Sequence, residues 1–116
     1  METIDIAKLT AKCMDDKKAG DIAVLDIHDL TTMADYFVIC NGNSTPQMRA
    51  IYDEIDEKLS EQGFEPNGRE GFESAYWILM DYGDVVVHIF NKESREFYGI
   101  EHLWADAKRL PLEELL

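Results

Sequence analysis

Tyr36-Phe37-Val38-Ile39-Cys40 is an unbroken apolar run, and it limits what this chain can fold into more than any other segment. Side chains alternate between the two faces of a strand, so a strand that is apolar throughout needs both faces covered. Asn41-Gly42-Asn43-Ser44 then breaks the run, and Ser44 or Thr45 is a suitable N-cap for a helix with Pro46 in its first turn. Met48, Ile51, Ile55 and Leu59, with Tyr52 beside them, place one apolar stripe on that helix, which the sequence carries to about Glu61 before Gly63.

The remaining segments fit around this strand-turn-helix unit. Ile4, Ala7, Ala11 and Met14, widened by Ile6, Leu9 and Cys13, predict a helix over Thr3–Lys18, with Gly20 as its stop signal. Ile22–Ile27 reads as a strand. Pro66–Ser74 is a polar loop, and Tyr76–Met80 and Val85–Phe90 form a hairpin around Asp81-Tyr82-Gly83-Asp84, with Gly83 free to take a positive φ. A last helix over about Glu93–Lys108 has Phe97, Ile100, Leu103, Trp104 and Ala107 as its inner stripe, and Pro111 ends it. The expectation is one α/β domain over residues 1–108, with four strands in a mixed sheet and helices mainly on one face. A short loose C-terminal tail covers residues 109–116.

At 116 residues, 46% of them apolar, the chain can bury a core without staples. Its 24 acidic and 11 basic residues give a formal net charge of −13, which repels phosphate backbones and suits a basic partner. Cys13 and Cys40 sit in apolar contexts outside any CxxC pair, so both are expected to be free thiols in a reducing cytoplasm. Nothing reads as a leader or as a span long enough for a bilayer, and a membrane role is not expected.

No constellation for catalysis emerges. Gly42-Asn43-Ser44 occupies the place where nucleotidyltransferases hold phosphate on helix-start amides, but those enzymes also need strand carboxylates for their metal ions. The acidic cluster Asp53, Glu54, Asp56 and Glu57 falls on the outer side of a helix instead. Asp81 and Asp84 suit turn geometry. His28, His88 and His102 lack ligand spacing, and no cofactor or metal is expected. His88 alternates with Val87 and Ile89, so it faces the opposite side of its strand, toward either a surface or a polar core contact. In the hairpin, Trp77, Leu79 and Asp81 share one pleat face, and Tyr76, Ile78 and Met80 the other. Apolar residues on both faces mean a strand buried twice or a strand with one face for a partner, where Trp and Tyr are favoured anchors.

These segments together resemble a known family. Asp35 through Ser44, Trp77 through Asp81, Gly83-Asp84-Val85-Val86-Val87-His88-Ile89-Phe90, and Arg95-Glu96-Phe97-Tyr98 with Glu101, Leu103, Trp104 and Asp106 are similar to the ribosomal silencing factors, also called Iojap-related. The resemblance spans about Ile4 to Lys108. Asn41 departs from it, standing where the family more often has Ser or Thr. The resemblance implies a nucleotidyltransferase-like fold without the catalytic carboxylates, and no enzyme activity. It also implies docking on ribosomal protein fourteen of the large ribosomal subunit, which blocks joining of the small subunit, and a homodimer when the protein is free. The contact residues it implies are Trp77, Leu79, Met80 and Asp81, with Tyr98 and Glu101 on the last helix. Two other readings compete: a nucleotidyltransferase-like nucleotide-binding protein using Gly42 and Ser44, and a general dimeric adaptor.

Overall fold

A computed structural model describes residues 1–116. In chain order the elements are α1 (Thr3–Asp16), β1 (Gly20–Asp26), β2 (Tyr36–Gly42), α2 (Thr45–Glu61), β3 (Gly68–Glu70), β4 (Trp77–Asp81), β5 (Val85–Asn91), α3 (Lys92–Tyr98), α4 (Ile100–Leu103), β6 (Lys108–Leu110) and α5 (Leu112–Leu115). The strands form one mixed sheet in the order β3-β4-β5-β2-β1-β6. The apolar run becomes β2, an inner strand that pairs antiparallel with β1 and parallel with β5. Its position explains its composition, because a strand flanked on both edges and covered on both faces has no wet side.

The register sorts the side chains of each strand. Val24, Val38, Cys40, Ile78, Met80, Val87 and Ile89 point to one face and meet Ala7, Ala11, Met14, Met48, Ile51, Ile55 and Leu59 from α1 and α2. The other face carries Ala23, Leu25, Phe37, Ile39 and Phe90, and the α3–α4 segment covers part of it through Ile100 and Trp104. Ser44 caps α2 by accepting the Gln47 N–H at 3.2 Å, as its position predicts. The hairpin turn falls at Gly83, with φ 83°. No helix is long and apolar enough to cross a membrane.

Four expectations need correction. The sheet has six strands, because Gly68–Glu70 in the expected polar loop pairs with β4, and Lys108–Leu110 pairs with β1. The final residues are therefore not a loose tail: β6 closes one sheet edge, and Leu110, Leu112 and Leu115 pack against the larger core. The first helix stops at Asp16, where Lys18 turns the chain with φ 60° before Gly20 is reached. The last helix is broken at Gly99, whose left-handed backbone (φ 55°) separates α3 from α4. The break turns Phe97 (79% exposed) and Leu103 (77%) outward, so only Ile100, Trp104 and Ala107 of the expected inner stripe face the core.

A half-covered aromatic face as the candidate partner site

The α3–α4 segment is too short to cover the whole second face of the sheet. It lies over β1, β2 and β5 and leaves the β4 side partly bare. Trp77, Leu79 and Asp81 project there, all half-buried, in register with Phe90, His88 and Val86 of β5. Trp77 stacks on Phe90 (ring centroids 5.0 Å apart, 27° between planes) and packs against Tyr98 of α3 at 4.8 Å. Tyr98 in turn meets Phe97 edge-on at 5.1 Å. Tyr76 (63% exposed) and Tyr98 (50%) extend the patch outward. Glu70, Tyr76, Trp77, Leu79 and Tyr98 line a shallow groove of about 290 Å³ beside the β3 edge, and no basic side chain lines it. Aromatic rings with one adjoining carboxylate, Glu70, suit an apolar partner surface that carries a cationic group.

Beneath the patch, the Trp77 indole N–H donates to Nδ1 of His88 at 3.0 Å. His88 is 4% exposed, and Phe37 packs edge-on to its ring at 4.7 Å. Burial lowers the His88 pKa to about 4, so the imidazole is neutral near pH 7. The sequence left His88 between a surface and a polar core contact; the structure places it in the core contact.

The expected contact residues divide by location. Trp77, Leu79 and Tyr98 lie together on the bare face. Met80 does not: it is fully buried on the opposite side, against the cluster formed by α1 and α2. The expectation for Met80 is corrected, because strand alternation sends it to the face that the long helices occupy. Asp81 shares the bare face with Trp77 and Leu79, but its carboxylate accepts the Gly83 N–H at 2.7 Å and so serves the hairpin turn.

Glu101 sits in an ion-pair network. It accepts from Arg95 Nε at 2.7 Å and lies 3.5 Å from Arg109 of β6, while Arg95 also donates to Asn41 of β2 at 2.8 Å. This network ties α3 and α4 to both β2 and β6, and the Arg95 hydrogen bond holds the Glu101 carboxyl below its ordinary pKa. Asn41, the departure noted in the sequence, supplies the β2 end of this network.

Tyr76 and Glu70 line the groove and Phe97 is exposed beside it, and the sequence marks none of the three as a contact residue. Alternation assigns Tyr76 to the opposite pleat face, helical spacing puts Phe97 in an inner stripe, and Glu70 lies in a segment without strand signal. The glycine at position 99, the left-handed cap of α3, is the sequence signal for the break that turns Phe97 outward.

The Gly42-Asn43-Ser44 turn is tied to α2 through Gln47. Asn43 N–H donates to the Gln47 side chain at 2.6 Å, and Gln47 donates to the carbonyls of Lys17 and Lys18. The turn thus fastens α2 to the end of α1. Asp53 and Glu57 of the acidic cluster face solvent on α2, as the stripe predicts. Cys13 and Cys40 are buried free thiols whose pKa values burial pushes up to about 12, which leaves them poor nucleophiles.

Residues 1–116 match the family described as ribosomal silencing factor during starvation. The Bacillus subtilis protein named ribosomal silencing factor RsfS is 46% identical over 115 residues, covering 99% of this chain and 95% of its own length. The protein of the same name from Halalkalibacterium halodurans is 41% identical over 116 residues, covering 100% and 99%. A crystal structure of a Chromobacterium violaceum protein superposes with a TM-score of 0.88 at 39% identity, covering 90% of this chain and 88% of that one.

Proposed function

Because the chain belongs to the family of ribosomal silencing factors, we propose that it is a cytoplasmic translational repressor that docks on the large ribosomal subunit. In this reading the contact is ribosomal protein fourteen, and a body of this size seated where the small subunit lands prevents joining by occupying the space. The observation that carries the proposal is the half-covered face at β4, where Trp77, Leu79, Tyr76 and Tyr98 leave aromatic surface in water. Such a patch on a small domain marks a place for a partner, and Trp and Tyr are the residues that concentrate binding energy there.

The net charge of −13 supports the same reading. It steers the protein toward a basic ribosomal protein and away from the surrounding RNA backbone. Affinity for the subunit therefore falls as salt rises. When the protein is free, a second copy covers the same aromatic face, so homodimer and ribosome complex compete.

Sedimentation of purified subunits with and without the protein tests this. The expected profile has the protein in the large-subunit fraction and a smaller peak of joined ribosomes. Normal joining with the protein absent from the large-subunit fraction at low salt would overturn the proposal.

A further inference from the structure

His88 is the unusual residue beneath the patch. An imidazole here adjoins Phe37, Phe90 and Trp77, and its Nε2 is buried with no hydrogen-bond partner. A buried polar nitrogen without a partner is costly, and an apolar side chain of similar size would avoid that cost. The histidine is not needed to fill the space. What it supplies is its other nitrogen: Nδ1 accepts the Trp77 indole N–H at 3.0 Å, which fixes the proton on Nε2.

This bond has two consequences for the surface above it. It holds the indole against rotation, together with Phe90 below and Tyr98 beside it. It also turns the only polar atom of the indole inward. The exposed remainder of Trp77 is then hydrocarbon, and a partner covering it strips water from no unpaired donor.

We propose that His88 is a positioning residue for partner recognition: through its Nδ1 it fixes the Trp77 indole with the N–H edge buried and the apolar edge presented for docking. This rests on the docking role proposed above. His88 touches no partner itself and acts only through Trp77.

The test joins two readouts, solvent exchange of the Trp77 indole proton by NMR and affinity for purified large subunits. In the unaltered protein the indole proton is protected. His88→Leu removes the acceptor; the indole proton then exchanges at least about tenfold faster, and affinity falls about fivefold, the scale of one buried neutral hydrogen bond. His88→Asn keeps an oxygen acceptor in reach of the indole and recovers part of both effects, so it serves where His88→Leu folds poorly. On a Trp77→Phe background, which has no donor, His88→Leu costs no further affinity.

Two results would overturn the assignment. One is an unprotected indole proton in the unaltered protein. The other is a loss of affinity from His88→Leu that persists in full on the Trp77→Phe background. A protected indole in a protein that never binds the large subunit would instead overturn the docking role, and the recognition function of His88 with it.

Discussion

The two faces of the sheet are built on different plans. One face carries mostly aliphatic side chains that are buried under α1 and α2, and Ile78, Met80, Val87 and Ile89 are all inaccessible there. The other carries aromatic rings under a short, broken helical segment that ends before β4 is covered. Adjacent residues of one strand show the contrast: Ile78 is fully buried beneath the long helices, while Leu79 lines the open groove. The closed face is packed for stability. The open face keeps large rings half in water, a cost in solvation that a docking surface recovers when it is covered.

The comparison can be pressed first at β4. Ile78→Ala leaves a cavity under α2 and lowers unfolding free energy by about 3 kcal/mol in urea titrations. Leu79→Ala, one residue away on the open face, costs only about 1 kcal/mol of stability and instead weakens large-subunit binding. Equal stability losses at both positions would mean that the two faces are not distinct.

His88 offers a sharper test because its pKa is lowered on folding, so the unfolded chain binds its proton first. Stability that His88 contributes at neutral pH is therefore lost as pH falls from about 6.5 toward 4. Between pH 7 and pH 5 the loss is about 2 kcal/mol, and His88→Asn removes that part of the slope. His28 titrates in the opposite sense, since its imidazolium is favoured by Asp26 and Asp29; the difference between the two proteins cancels it. Identical slopes would remove His88 from the buried site.

The smallest effect concerns the ion-pair network that fastens the short cover. Glu101→Gln lowers stability by about 1 kcal/mol at pH 7. The Glu101 pKa is depressed, so its contribution is present above its ordinary pKa and lost as pH falls through the folded value. The two proteins therefore converge in stability once pH has fallen below that folded value. A constant gap across pH would assign the loss to packing.

The closed face was largely legible in the sequence, because long amphipathic stripes such as Met48-Ile51-Ile55-Leu59 admit one orientation. The turn at Ser44 and the hairpin at Gly83 were legible for a similar reason: a side-chain cap and a positive φ each demand particular residues. The open face was not. Its cover depends on Gly99, and the spacing of Phe97, Ile100 and Leu103 fits an unbroken helix equally well. The edge strands β3 and β6, at three residues each, are too short to show alternation and are set by pairing with β4 and β1. Met80 was misplaced because a strand with apolar residues on both faces does not say which face the helices take.

The most direct test of the docking role compares the unaltered protein with Trp77→Ala for binding to purified large subunits, with folding of both checked by thermal melts. The account predicts a folded variant that binds at least about 2 kcal/mol more weakly, as removal of an interface anchor does. A folded Trp77→Ala protein with unchanged affinity would contradict it, and the aromatic face at β4 would then not be the docking surface.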